Sequence, residues 1–512
     1  MVLFEWTLCL LFAAVFLARL ADRLRVPYPV FLALGGAAIS FLPGAPGFTL
    51  EPELALALFV APVLLDAAFD TSLRDLKDNA APVAGLVLAA VGLTTAAVAV
   101  VAHALVPSLP WAAAIALGAI VAPPDAAAAT AVLRSLNPPH RVLLILEGES
   151  LLNDASALLI YRAAVAAAAG GFSLASAAPA FGLVLVGSLA AGALAYPAFS
   201  FVMRPIKDAP SAVILQFVGA FGVWILAERV GLSPILTVVA FAITAARRAP
   251  RRTPAAMRVP TYAVWDAMVF LLNTLAFVLV GLQIGPILER LSPAERASYG
   301  IVAAACLAVV VLVRFAWVMG DNTVVRLKNR WLGVSLPRPM LAPTARGGLI
   351  ISWAGMRGIV TLAAAMALPG AFPYRDLIVF SAFTVVLGTL VLQGLTLRPL
   401  MLVLNPRDDG PVEREVRFAR IETAKAALAS LESDGSDVGE SLKREFRLVL
   451  AGAKAASDGD GRSVSPRQDA RLKALEAQRA RLWDLRQGGV IGDHAYHRLE
   501  AEFDLVELES SP

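Results

Sequence analysis

Six ionisable residues stand where the chain is otherwise apolar. They are Asp66 in APVLLDAAFD, Asp125 in VAPPDAAAAT, Glu149 and Asp154 in LEGESLLNDASALLIY, Arg314 in CLAVVVLVRFAWVMG and Arg357 in ISWAGMRGIVTL. An ionised group in such surroundings is costly, so those that remain face a cavity or one another. The chemistry open to them is to pair, to hold a proton, or to hold a cation. LEGESLLNDASALLIY is the densest stretch. At about 100° per residue, Glu149, Ser150, Asn153 and Asp154 share an arc of about 140° on one helix face, with Glu147 at its edge. That face carries a hydroxyl, an amide and carboxylates.

Depth separates the acids. With a helix starting near Val142 at the cytoplasmic surface, Glu149 lies about 10 Å deep and Asp154 about 18 Å deep, near the midplane. Asp154 is the deepest carboxylate of the stretch, suited to hold a proton or, once ionised, a cation. The plainer alternative is a hydrogen bond to a neighbouring helix. Glu149 calls for a cation at its own depth. Arg314 lies about 6 to 8 residues from the cytoplasmic end of a helix descending from outside, which is the same depth. A structural Glu149–Arg314 pair is therefore preferred to a transport role. Glu147 lies near the mouth, within reach of water.

Two of these segments interrupt the helices that hold them. Pro123 and Pro124 remove two backbone donors, and Gly347, Gly348, Gly355 and Gly358 loosen the second segment. Interrupted helices at corresponding places of two halves mark the substrate site of many transporters. Half-helix N-termini carry partial positive charge and C-termini partial negative charge. Asp125 would neutralise the first kind and Arg357 the second, while freed carbonyls could coordinate a cation.

The elements that must position these groups follow from composition. The 512 residues are 58% hydrophobic and 16% charged, the balance of a polytopic membrane protein. Apolar runs reach about 20 residues, enough to cross as helices. Short alternating strands are missing, which excludes an outer-membrane barrel. The expectation is an all-α fold of about thirteen spans, near 3–21, 27–42, 52–69, 82–106, 111–133, 142–168, 173–203, 211–229, 232–246, 262–284, 298–320, 345–368 and 376–403. The breaks fall in spans five and twelve, so two inverted repeats, roughly 1–170 and 211–404, are expected. Basic residues recur at every second connection: Arg19, Arg23 and Arg25; Arg74 and Lys77; Arg134 and Arg141; Arg204 and Lys207; Arg247, Arg248, Arg251 and Arg252; Arg326, Lys328 and Arg330. The bias puts the N-terminus outside and the C-terminus in the cytoplasm. Cys9 and Cys306 lie in apolar runs and imply no disulfide or zinc framework.

The membrane domain is expected to span 1–404. From 405 to 512 the chain is charged, with helical spacing in EREVRFARIETAKAALASLE and PRQDARLKALEAQRARLWDLRQ, a linker SDGDGRSVSP and a last helix begun at Asp493. This is a cytosolic helical tail, either a solvated appendage or a regulatory or dimer-contacting domain.

Taken together, LGAIVAPPDAAAATAVLR, LEGESLLNDASALL, WDAMVFLLNTLAFVLVGLQI and WAGMRGIVTLAAAMALP resemble bacterial sodium/proton antiporters of the electroneutral monovalent cation:proton antiporter group, relatives of the animal exchangers. The resemblance runs through most of the membrane part. It implies two inverted repeats with crossed broken helices, a scaffold domain that forms a homodimer, and a multi-pass protein of the cell (inner) membrane. It implies exchange of Na⁺ for H⁺ at Asp154, with Asn153 replacing the first acid of the electrogenic Asp-Asp branch. It also implies Asp125 and Ser150 near the cation and a Glu149–Arg314 pair. Asp66 stands where many relatives carry Glu. Pro124 stands where many carry threonine, which leaves only its carbonyl as a ligand. One carboxylate that binds either ion, with access alternating between sides, gives one-for-one electroneutral exchange. No cofactor, enzyme activity or nucleic-acid partner is expected beyond the transported ions and membrane lipid.

An intramembrane aspartyl protease also needs two membrane carboxylates, but its GxGD segment is absent from the sequence. A channel would form repeated filters rather than clustering polar groups at helix breaks. K⁺/H⁺ or Li⁺/H⁺ exchange is the realistic competitor. His103 reads as a packed or mouth-facing histidine, Arg162 as snorkelling to headgroups, and His494 and His497 as tail residues.

Overall fold

The computed structural model describes residues 2–24, 26–42, 51–133, 136, 138–170, 174–249, 253–332, 344–406, 410–433, 435–455, 466–487, 499, 502–503 and 505. Arg25, Arg134, Arg251, Arg252, His494, His497 and the helix expected from Asp493 lie outside them. All regular structure among the described residues is helical. In the membrane unit, α1 is Val2–Leu24, α2 Tyr28–Ser40, α3 Pro52–Asp70 and α4 Ala80–Leu105. Two half-helices follow, α5 (Trp111–Val121) and α6 (Ala126–Leu133), then α7 (His140–Ala168), α8 (Leu174–Met203), α9 (Ala209–Arg229) and α10 (Pro234–Arg248). Next come α11 (Ala255–Leu282), α12 (Pro293–Leu332), the half-helices α13 (Ala345–Trp353) and α14 (Ile359–Met366), and α15 (Arg375–Leu404).

Among the described residues, seven helices are long and apolar enough to cross a membrane by length and composition. Helices serve here because a bilayer leaves no water to satisfy exposed amides and carbonyls. Two elements outrun the apolar stretches that announce them. α12 continues to Leu332 because DNTVVRLKNRWL contains no proline or glycine to stop it, so the helix extends past its greasy run. α11 starts at Ala255, directly after Pro254, rather than near 262. Within α3 the turn widens to a π-helix over Leu56–Val60, just ahead of Pro62, whose ring and missing N–H disfavour the ordinary ladder there.

Small residues set the closest approaches. Gly36 of α2 and Gly281 of α11 face each other's helix so tightly that a Cβ at Gly36 would overlap the Val278 carbonyl, and one at Gly281 the Ala33 carbonyl. Backbone-to-backbone packing of this kind replaces the hydrophobic drive that lipid removes. α15 is the central strut. It packs on α2, α5, α6, α13 and α14, with Leu377, Ile378, Val385, Val386 and Leu390 fully buried. It begins after Tyr374 (φ 55°), whose hydroxyl donates to Ser108 Oγ at 2.7 Å, and ends at Asn405 (φ 38°). Asn is among the few non-glycine residues that close a helix in the left-handed region.

Two peripheral residues are ordinary. His103 contacts the Leu109 carbonyl through Nδ1 at 2.8 Å and stacks on Trp111 with ring centroids 4.3 Å apart. Arg162 is exposed on α7.

Contacts divide the chain into Met1–Gly410 and Pro411–Pro512. The second unit contains α16 (Pro411–Ser430) packed on α17 (Asp437–Ala455), and α18 (Pro466–Gln487). Ala424, Ala453, Leu475 and Leu482 are buried there. Ser436 caps α17 by accepting from the Gly439 N–H at 3.0 Å, and Lys443 pairs with Glu440 at 2.8 Å.

Candidate ion-binding site

The two helix breaks meet. α5 stops at Val121 where two prolines withdraw their donors, and α6 restarts at Ala126. α13 stops at Trp353 and α14 restarts at Ile359, after the Gly355–Gly358 segment. The Asp125 N–H donates to the Met356 carbonyl at 2.7 Å, joining the two non-helical segments directly.

Charge is sorted around this crossing. Asp125 Oδ1 accepts from the Ala127 N–H at 2.8 Å and so caps α6. Its other oxygen lies against Gly358, the residue before α14, where any Cβ would overlap the carboxylate. One carboxylate thus serves the positive ends of two half-helices. Arg357 does the reverse. Its guanidinium, fully buried, donates to the carbonyls of Val121 at 3.0 Å, Ala122 at 3.1 Å and Gly355. These carbonyls belong to the C-terminal ends of α5 and α13. The Arg357 N–H donates to Thr389 Oγ1 at 3.0 Å, which fastens the break to the strut α15.

α7 supplies the remaining groups. Asn153 is wholly buried, and its Nδ2 donates to the Pro124 carbonyl at 2.9 Å. Its Oδ1 is buried with no hydrogen-bond partner among the described residues. Ser156 donates to the carbonyls of Val87 and Asn153, both at 2.8 Å, holding α7 to α4. Asp154 follows, 8% exposed and near enough to Asp125 for like charges to repel. Among the described residues, no Lys, Arg or hydrogen-bond donor contacts it. Ser150 is half-buried, one turn before Asp154.

Glu149, five residues earlier, has the opposite surroundings. Arg314 Nη1 meets its Oε1 at 2.5 Å, and Arg314 Nη2 donates to its Oε2 at 2.8 Å. Arg314 also donates to the Ile351 carbonyl from Nε at 3.3 Å and from Nη2 at 3.1 Å. Both residues are buried. A two-pronged pair of this type fixes both orientation and charge. Gly355 leaves room for it, since a Cβ there would overlap the arginine side chain.

Asp66 lies apart from this cluster in one respect. It lines a cavity of about 520 Å³ among the ends of α3, α8 and α10 and the starts of α9 and α11, whereas Asp125, Asn153 and Asp154 are not among its described lining residues. Toward the other end of α3 and α11 is a cavity of only about 40 Å³, bordered by Pro52, Phe59, Leu279, Gln283 and Ile359. Thr389 and Gln393 escape sequence reasoning because they are scattered uncharged polar residues of a mostly apolar helix, and Ser156 because its partner, the Val87 carbonyl, belongs to another helix. Gln393, one turn beyond Thr389, is buried with neither amide atom paired among the described residues.

The profile described as sodium/hydrogen exchanger, transmembrane, matches residues 10–403. The chain belongs to this family. The exchanger is similar to a protein of Mycobacterium tuberculosis named as an uncharacterized Na(+)/H(+) exchanger, 31% identical over 96% of this chain and 93% of that one. It is also similar to the sodium, potassium, lithium and rubidium/H(+) antiporter of Bacillus subtilis, 29% identical over 94% of this chain and 74% of the relative. Its fold matches the sodium proton antiporter MjNhaP1 of Methanocaldococcus jannaschii, with a TM-score of 0.61 over 79% of this chain and 98% of that chain at 19% identity. The exchanger is thus a membrane protein with the antiporter fold, helical throughout its described regular structure.

Proposed function

We propose that the exchanger swaps one Na⁺ for one H⁺ at Asp154, with access alternating between the two sides of the membrane. The observation that carries this reading is a contrast on one helix. Glu149 is neutralised by Arg314, while Asp154 faces the crossing of the interrupted helices with no cationic partner among the described residues. A buried carboxylate in that position is stable only with a proton or a cation on it. The two compete for one charge.

The surroundings support the cation-bound form. Ser150, Asp125, the free Oδ1 of Asn153 and the Pro124 carbonyl offer the oxygen ligands a hard monovalent ion prefers. The Pro124 carbonyl already accepts from Asn153 but retains a second lone pair. Asp66 lines the wide cavity and would meet the ion on its way. Asp125 answers two helix N-termini and Arg357 two C-termini, so neither charge needs to leave with the ion. Asn153 is neutral, and exchange is therefore electroneutral.

On this reading residues 1–404 form the transport domain, built as inverted repeats of roughly 1–170 and 211–404 with about thirteen spans. Residues 405–512 form a cytosolic domain. The positive-inside bias supports an N-terminus outside the cell membrane and a C-terminus within. Arg74, Arg204 and Arg258 flank or line the wide cavity's end of the helices, which supports a cytoplasm-facing state of the transporter. The protein works as a homodimer in lipid, without a cofactor, an enzymatic step or a nucleic-acid partner.

Exchange of K⁺ for H⁺ is the second reading, favoured by the name of the Bacillus subtilis relative. Proteoliposomes carrying a pH-sensitive dye test both. Adding Na⁺, Li⁺ or K⁺ outside acid-loaded vesicles should collapse the gradient in the order of selectivity. Asp154→Asn should abolish the signal for every ion; undiminished exchange by that variant would refute the assignment.

A further inference from the structure

Gln393 of α15 carries a buried amide that ion exchange does not use. Its side chain is wholly enclosed, and neither Oε1 nor Nε2 has a hydrogen-bond partner among the described residues. A buried amide is costly unless something answers it. Its neighbours on α15 show what it faces. The Arg357 N–H donates to Thr389 Oγ1 at 3.0 Å, and the Trp353 indole N–H donates to Thr396 Oγ1 at 2.8 Å. A Cβ at Gly394 would lie 3.5 Å from Met356 Sδ. At about 100° per residue, Gln393 falls on the face between these three positions. It is therefore set against the Ala354–Met356 stretch, where α13 has ended and α14 has not begun.

That stretch has open groups of its own. In an unbroken helix the Gly355 N–H would donate to the Ile351 carbonyl, but Arg314 holds that oxygen from Nε and Nη2. The Gly355 and Met356 amides are buried and donate to nothing among the described residues. Donors and an acceptor thus stand open together. A cation would answer Gln393 Oε1 but none of the donors, and it would lie beside the Arg357 guanidinium. An anion would answer the donors and leave Oε1 bare. A neutral molecule that both donates and accepts answers all of them, and water is the smallest of that kind.

We propose that Gln393 holds an ordered water against the Gly355–Met356 backbone and is, through it, a positioning residue for ion exchange. The path to the ion site is short. Met356 offers its N–H to the water and its carbonyl to the Asp125 N–H, at 2.7 Å. Asp125 is in turn an oxygen ligand of the cation on the exchange reading above. The positioning role rests on that reading; the water does not. Losing the water loosens Asp125 without removing a ligand, so cation affinity suffers more than turnover.

The direct test is a structure of the wild-type protein in lipid nanodiscs, at a resolution that shows ordered water. Density within hydrogen-bond distance of both the Gln393 amide and the Gly355 or Met356 N–H is expected. A Gln393 amide bonded straight to the backbone, or without such density beside it, would overturn the proposal. Gln393→Met keeps the volume and removes both hydrogen-bonding atoms. It should lower the detergent Tm, because the backbone donors lose the water's anchor. A side chain that only fills space would leave Tm unchanged or raised in that variant, which also overturns the proposal. In proteoliposomes Gln393→Met should raise the KM for Na⁺ about fivefold with kcat held within about twofold. Gln393→Asn, which retains an amide, should recover most of the affinity. A loss confined to kcat, or the same KM in both variants, would refute the positioning role. The water density and the Tm difference are expected in the Asp154→Asn background as well, so a failure of the exchange assignment is told apart from a failure of this one.

Discussion

Glu149 and Asp154 sit on the same helix, five residues apart, and both are buried. The first is gripped by both arms of Arg314, which is itself held by the Ile351 carbonyl. The second has the unpaired oxygen of Asn153 next to it in sequence and the carboxylate of Asp125 within electrostatic range. The same side-chain chemistry therefore serves two ends. A carboxylate whose charge is answered by the protein becomes a rivet between α7, α12 and α13. One whose charge is left open must be answered by something that comes and goes. On the proposed reading, transport depends on the protein withholding an arginine at one position while supplying it a turn and a half away.

The comparison is broken most forcefully by removing the arginine. Arg314→Ala strands Glu149 in the interior, and the expected loss is about 3–5 kcal/mol of stability, read as a large drop in the detergent unfolding temperature. The double variant Glu149→Leu with Arg314→Leu removes both charges and should recover most of that loss. An unchanged Tm for Arg314→Ala would mean Glu149 is satisfied in another way. Gly358→Ala comes next. Its methyl group overlaps the Asp125 carboxylate, so about 1–3 kcal/mol of strain is expected, together with impaired exchange; normal values of both would argue against the close approach at the crossing.

Thr389→Val tests the tie between Arg357 and the strut. It leaves the buried Arg357 N–H without its 3.0 Å acceptor, and about 1 kcal/mol should be lost. A carboxylate in a connection between spans gives the weakest effect and sharpens the contrast with Glu149. Burial works against the charge of Asp75, yet hydrogen bonds from Ser72 and Arg74 and the charges of Arg74 and His140 hold its carboxyl below the usual range. A depressed value adds stability above the unfolded pKa, and that stability is lost as pH falls through the folded one. Asp75→Asn should thus lower stability by about 0.5 kcal/mol at neutral pH, with the difference closing below about pH 4. A gap that persists in acid would assign the effect to packing.

Much of this architecture can be read from the chain because the bilayer admits few backbone solutions. Apolar runs announce helices, prolines at 123 and 124 and the glycines from 355 to 358 announce the breaks, and helix rise gives the relative depth of Glu149 and Arg314. Which atoms meet is another matter. Nothing in VAPPD or GMRG says that the Asp125 amide will bond to Met356 or that Arg357 will reach back to Val121 and Ala122. Those contacts depend on how two distant breaks cross. Thr389 is one of two hydroxyls in TVVLGTLVLQ, and nothing in the pattern sets it apart from Thr384. Asp66 is visible as a membrane acid, but its place on the cavity follows from packing among α3, α8, α10 and α11. The end of α12 is misjudged from hydropathy because helix propensity continues after the apolar run stops.

The central claim is that a proton and a cation compete for Asp154. It is tested most directly by proton release on binding. Purified protein in weakly buffered detergent, titrated with NaCl against a choline control near neutral pH, should release close to one proton per Na⁺ bound. Asp154→Asn should bind no Na⁺ in this range and release none. Proton release of wild-type size from that variant would contradict the account.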